Sequence, residues 1–167
     1  LVEQDAQLGG LCLHAGCVPA KALLHLAKLL GDAKRARPMG LIFGKPEIDL
    51  AAMRNWQRQM LTAKAKNLAD LGKQAGILVI KGRARFADSQ TVRLEGAEMS
   101  GIRFKKAIIA TGARPRSLAG HPAPWGSRIM DSSAALALPE IPAKILVVGG
   151  GSAGLEIAAI YAALGSR

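Results

Sequence analysis

Acidic residues, aromatics and cysteines are all scarce in this 167-residue chain, with 12 Asp and Glu against 23 Lys and Arg, 4% aromatic residues and two cysteines. Two cysteines build no wide disulfide framework, which fits a compartment that keeps thiols reduced. They also leave no second pair to complete a four-thiolate metal site, and His14 and His25 would join one only by coincidence. The shortage of acids gives a formal net charge of +11, a balance that invites a nucleic-acid reading. The basic residues are dispersed, however, without interleaved stacking aromatics, and no nucleic-acid module motif is present. A solvated basic surface, or one meeting cofactor phosphates or an acidic partner, accounts better for the charge. No uninterrupted apolar run reaches the roughly 18–20 residues of a membrane span. The longest candidate, 145–163, contains Glu156 and a glycine run and reads as strand, turn and helix. No basic-then-apolar leader with a small-residue cleavage site is visible, so no secretion signal is expected.

What is present is enough hydrophobic residue, 50% of the chain, for a substantial core, and one concentrated motif. Both cysteines lie in Gly9-Gly10-Leu11-Cys12-Leu13-His14-Ala15-Gly16-Cys17-Val18-Pro19-Ala20-Lys21. Isolated free cysteines are usually inert packing, but this placement points to thiol–disulfide chemistry. A disulfide needs Cα atoms roughly 4.4–6.8 Å apart. Residues five apart in a regular helix are separated by about 7.5 Å along the axis alone, so the segment from Cys12 to Cys17 must be looped or distorted. Gly9, Gly10 and Gly16 supply backbone freedom for that. Pro19 suits the first turn of a helix, and the apolar residues after it predict a largely buried helix from 18 to about 36. Cys17 then falls at a helix N-terminus, where the dipole stabilises a thiolate, with Lys21 one turn on. Cys17 is expected to be the stabilised thiolate and Cys12 the sulfur left to meet a substrate.

The rest of the chain reads as α/β. Leu1-Val2-Glu3 resembles a strand end with an acid at its tip, the residue that accepts ribose hydroxyl hydrogen bonds in a dinucleotide-binding βαβ unit. Residues 39–45 are expected to be extended. A second helix over about 50–71 carries Leu50, Met53, Trp56, Gln57, Met60, Leu61, Leu68 and Leu71 at helical spacing, its Met and Trp directed to the core. Strands at 77–81, 84–86, 91–94 and 102–104 predict a small antiparallel layer. Residues 106–112 read as a short buried strand ending in a glycine turn, and 115–126, rich in Pro and Gly, as a connection between domains. Ile145–Val148, Gly149-Gly150-Gly151-Ser152-Ala153-Gly154 and an apolar helix to about 164 form strand, glycine turn and helix. In that context Gly149, Gly151 and Gly154 read as a dinucleotide fingerprint, the alternative being a tight turn without ligand.

The cysteine motif resembles the active-site pattern G-G-x-C-x-x-x-x-C-x-P-x-K of the pyridine nucleotide–disulfide oxidoreductases. Lys21-Ala22-Leu23-Leu24-His25, Ala110-Thr111-Gly112, Asp131-Ser132-Ser133-Ala134-Ala135-Leu136 and the glycine segment follow in family order over essentially the whole chain. Departures are His14 where the family usually has Asn, Ala20 for Ser or Thr, Gly82-Arg83-Ala84 for a G-x-G turn, and Ser152 for a larger residue.

The resemblance implies a partial FAD-binding Rossmann-like domain with a redox-active Cys12–Cys17 disulfide over 1–116. It implies the start of an NAD(P)-binding Rossmann-like domain over 117–167, the chain being a piece of a longer flavoenzyme. FAD is implied at Glu3, Gly10, Lys21, Gly82, Ala84, Ala110, Thr111 and Gly112. NAD is implied at Gly149, Gly151, Ser152 and Gly154. The implied reaction oxidises dihydrolipoamide on a lipoylated carrier protein of a 2-oxo acid dehydrogenase complex and reduces NAD+. Cys12, Cys17, Lys21 and Glu156 are its catalytic residues, Lys21 and Glu156 forming a buried pair that costs about 3–5 kcal/mol to break. A homodimer is implied, without nucleic acid or membrane, in a bacterial cytoplasm or a mitochondrial matrix. An NADPH-dependent disulfide or mercuric reductase of the same family, or a non-catalytic dinucleotide-binding piece, stays open at this point.

Overall fold

The computed structural model describes residues 1–115 and 128–167. The expected connection over 115–126 therefore lies, apart from Pro115, outside the described residues. Two compact units are resolved: Leu1–Gly10 with Thr62–Ala113, and Leu11–Leu61 with Arg114–Arg167.

In the first unit, strand β1 (Val2–Glu3) pairs in parallel with β2 (Ile80–Lys81). Of the four strands expected in one antiparallel layer, three are present there as β3 (Arg83–Phe86), β4 (Thr91–Glu95) and β5 (Gly101–Arg103), paired in that order, while 77–81 is strand only at β2 and pairs in parallel with β1 instead. Leu94 is buried in it, and Phe86 and Phe104 meet edge to face at 5.8 Å between centroids. The C-terminal part of helix α3 (Leu50–Gln74) belongs to this unit from Thr62 on. That helix runs through Gly72 and stops in a Schellman motif: Gly76, at φ +67°, donates to the Lys73 carbonyl and Ile77 to that of Gly72.

The strand expected at 106–112 is absent: the segment is irregular, with Ile108 95% exposed. A strand needs a hydrogen-bonded neighbour, and among the described residues none pairs with it.

The second unit is helical in its core. Helix α1 (Gly10–Ala15) and helix α2 (Cys17–Arg35) are separated at Gly16, and a 3-10 turn at Arg37–Met39 follows. The extended segment expected over 39–45 is thus helical at its start and irregular afterwards. Helices α4 (Ser132–Leu136) and α5 (Ser152–Leu164) complete the unit. Ala20 and Leu23 of α2 pack with Ala135, Leu136, Leu138, Ile157, Ile160, Tyr161 and Leu164 in one buried cluster. Two polar side chains in this core are partnered, as burial requires, whereas Ser133 Oγ of α4 is buried without a hydrogen-bond partner among the described residues. Tyr161 donates its hydroxyl to the Ala135 carbonyl at 2.9 Å, and Gln57 Nε2 donates to that of Leu136 at 3.0 Å. Leu50, Met53 and Gln57 form the face of α3 that meets this cluster, whereas Trp56, Leu68 and Leu71 are exposed. Trp56 is therefore not the core residue the spacing suggested, because it lies beside the stripe and not on it.

The stretch Gly10–Arg35 has the length and mean hydropathy, 1.3, of a membrane span. The break at Gly16 and the burial of Leu23 against α5 make it a packing element of this unit. The strand expected at 145–148 is reduced to one rung of parallel pairing. Arg167 donates its N–H to the Ala143 carbonyl at 3.1 Å, and Ile145 donates to that of Arg167 at 2.9 Å. Leu146 beyond that rung is 87% exposed.

Candidate functional site

The cysteine site is built on the break between two helices. Cys12 lies in α1 and Cys17 is the first residue of α2. Gly9 and Gly10, at φ +113° and +53°, turn the chain into α1. Gly16 acts differently, because its φ of −134° is not left-handed. A Cβ there would lie 2.9 Å from the Leu11 carbonyl oxygen and 3.3 Å from Cys12 Cα. Only a residue without a side chain lets the start of α2 come back against the Cys12 backbone, and that approach brings the cysteines together.

Both thiols are exposed and unbonded to each other in the structure. Hydrogen bonding to Cys17 pushes the Cys12 thiol above its ordinary value, aided by desolvation and the charge of Cys17 and opposed by a Cys17 backbone hydrogen bond. The Cys12 thiol thus holds its proton more tightly than an ordinary cysteine does. Cys17 starts α2 with no side chain capping that helix, so the partial positive charge of the N-terminus is directed at it.

Lys21, one turn into α2, hydrogen-bonds its Nζ to Glu156 Oε1 of α5. The structure joins these two catalytic candidates across 135 residues of sequence. The pair is not buried as expected: the side chains are 66% and 24% exposed. A pair this open contributes about 0.2–1 kcal/mol and not the cost of a buried one. Its Lys21 ammonium is also directed at Glu156, so it is not a free charge beside Cys17.

In the first unit, Glu3 and Gly82 are brought together: Gly82 donates its N–H to the Glu3 carbonyl at 3.0 Å. The Glu3 carboxylate accepts from the Asp5 N–H at 2.9 Å, which fixes it at the tip of β1. Ala84 lies in β3, while Ala110, Thr111 and Gly112 are exposed in the irregular segment after β5.

The glycine turn before α5 has distinct positions. Gly149 has φ +119°. A Cβ on Gly154 would lie 2.1 Å from the Gly149 carbonyl oxygen, so the helix packs onto the turn only with glycine there. A Cβ on Gly151 would meet nothing, and no side chain caps α5, which begins at Ser152. Bare first-turn N–H groups beside open backbone are what a pyrophosphate requires. The donor set thus fits a dinucleotide phosphate. Asp131 caps α4, accepting from the Ala134 N–H at 2.8 Å; an acid immediately before a helix is the local signal for that role.

The family described as pyridine nucleotide-disulphide oxidoreductase matches residues 1–167. A dihydrolipoyl dehydrogenase of Buchnera aphidicola is 39% identical over 168 residues, covering all of this chain and 35% of that protein. One from Haemophilus influenzae is 41% identical over 169 residues, with the same coverage of both. A solved structure, the Cu(II) complex of the HOCl-induced flavoprotein disulfide reductase RclA from Escherichia coli, is 27% identical with a TM-score of 0.71. It is matched over 100% of this chain and 34% of that one. The chain spans about a third of the length of these relatives.

Proposed function

The chain belongs to the pyridine nucleotide-disulphide oxidoreductase family, and on that premise we propose that it is the redox-disulfide segment of a dihydrolipoyl dehydrogenase. The observation that carries this reading is the Gly16 contact, which folds Cys12 and Cys17 together and gives their sulfurs unequal surroundings.

In the oxidised state, one thiolate of a dihydrolipoamide attacks Cys12 Sγ, forms a mixed disulfide and expels Cys17 as a thiolate. The sulfur proposed to leave is Cys17, because it starts α2, where the helix N-terminus favours a thiolate. The second substrate thiol then attacks its own mixed-disulfide sulfur and releases lipoamide. Cys12 leaves and takes a proton, so the substrate has lost two electrons and the cysteine pair has gained them. Lys21, one turn from Cys17, is paired with Glu156. FAD, when bound, supplies an acceptor for that electron pair and a route to NAD+. Glu3, Gly10, Lys21, Gly82, Ala84, Ala110, Thr111 and Gly112 are the residues to hold FAD. Gly149, Gly151, Ser152 and Gly154 are those for NAD.

The domain reading consistent with this is 1–116 for part of the FAD-binding domain and 117–167 for the start of the NAD-binding one. The partners proposed are a lipoylated carrier protein and a second copy of the longer enzyme. The compartment is one that keeps thiols reduced, a bacterial cytoplasm or a mitochondrial matrix. The test is made on protein carrying this chain with the further length of its relatives, loaded with FAD. Dihydrolipoamide-dependent NADH formation that is lost in Cys12→Ser is expected. NADPH-dependent reduction of glutathione disulfide or Hg(II), with no dihydrolipoamide activity, would overturn the assignment.

A further inference from the structure

The antiparallel layer of the first unit carries charge in an unusual arrangement. Side chains alternate across a strand, so Arg83 and Arg85 of β3, Thr91, Arg93 and Glu95 of β4, and Arg103 of β5 share one face. Leu94, Val92 and Ile102 alternate with them, Leu94 buried and the other two half-buried, and all four arginines are exposed. Arg85 stands directly opposite Arg93 in the register, where Cβ atoms are about 4.5–5.5 Å apart and like charges are destabilising. Arg103 pairs with Thr91 and Arg93 with Gly101, which sets the two arginines on a diagonal of about 7–8 Å. Glu95 is the single acid on the face, and Arg85 Nε already donates to its Oε1 at 2.7 Å. Among the described residues, Arg83, Arg93 and Arg103 have no ion-pair partner.

We propose that this arginine face docks an acidic protein segment, one that presents several carboxylates to Arg83, Arg93 and Arg103. The guanidinium fork matches carboxylate geometry, as the Arg85–Glu95 contact already illustrates on the same face. A nucleic acid is disfavoured because the aromatics of the layer, Phe86 and Phe104, pack against each other on the side of Val92 and Leu94, which leaves no stacking platform among the arginines. Glu95, opposite Arg83 at the end of the ladder, also repels a continuous phosphate backbone. A lipid surface is disfavoured because no apolar side chain projects among the arginines to insert. A partner supplying acids offsets the repulsion built into the register, so the inference goes beyond thiol chemistry and rests on none of the cysteine residues.

The test measures binding of fluorescent poly-L-glutamate to the chain by anisotropy at low and at physiological salt. Arg93→Glu/Arg103→Glu is compared with Lys64→Glu/Lys66→Glu, the same charge change on exposed positions of α3. The face variant is expected to weaken binding about tenfold or more, and the α3 variant at most about twofold. Arg93→Gln/Arg103→Gln, with circular dichroism unchanged, is expected to weaken binding in the same direction and separates lost charge from lost fold. Equal losses in the face and α3 variants would reduce the effect to net charge and overturn the proposal. So would binding unaffected by either face variant, tighter binding of oligothymidylate of matched charge, or preferential binding to phosphatidylglycerol vesicles.

Discussion

Cys12 and Cys17 differ through position and not through chemistry. Cys12 donates within a helix turn that is folded back on the start of α2, and the hydrogen bond to Cys17 is the largest cause of its raised value. A thiol is neutral when protonated, so a folded value above the unfolded one favours the protonated form in the native state. That contribution to stability is complete below the unfolded value and is lost as pH rises through the folded one. In the reduced chain, the pH midpoint of Cys12 alkylation by iodoacetamide, read by peptide mass spectrometry, is expected above that of the urea-unfolded chain. Cys17→Ala, which removes the side-chain partner, is expected to lower it, and a midpoint unmoved by that substitution would remove the hydrogen bond as its cause. At this scale the motif was legible in its chemistry but not in every role. Glycine in a sequence suggests conformational freedom, and that holds for Gly9 and Gly10. Gly16 and Gly154 are needed for close approach of backbone to backbone, a requirement that depends on residues no local pattern names as neighbours.

Helix α5 organises the second unit, since it packs on both α2 and α4 and presents Glu156 to Lys21. Its link to α4 includes the buried bond from Tyr161 to the Ala135 carbonyl. Tyr161→Phe is expected to lower the unfolding free energy in urea by about 0.5–1.5 kcal/mol, because the buried hydrogen bond is lost while the carbonyl keeps the Leu138 N–H. Glu156→Gln is expected to change it by about 1 kcal/mol or less, because Lys21 is largely exposed. A loss of several kcal/mol for Glu156→Gln would indicate a pair far more buried than this one. Helices and the antiparallel layer were legible for one physical reason: their hydrogen-bond partners are near in sequence. Residues 106–112 and 145–148 have the composition of strands, yet a parallel strand depends on a remote neighbour. The first finds none among the described residues, and the second finds only Arg167. The error at Trp56 has a related origin, since helical spacing defines a stripe but not which side of it meets a core.

Across the whole molecule, the order of motifs carried the family where no single one would. The cysteine loop, the glycine turn and the Lys21–Glu156 partners are separated in sequence, and the family matches over residues 1–167. The net charge of +11 said little by itself; its meaning lies in placement, with Arg83, Arg85, Arg93 and Arg103 gathered on one sheet face. The proposed division of labour, with Cys12 meeting the dithiol substrate and Cys17 meeting the flavin, is one for a protein of the length of the relatives, which span about three times this length. It is tested most directly in that protein, loaded with FAD and reduced, by the thiolate-to-flavin charge-transfer absorbance of the two serine variants. Cys12→Ser is expected to keep the band and Cys17→Ser to lose it; a band kept in Cys17→Ser and lost in Cys12→Ser would contradict the assignment.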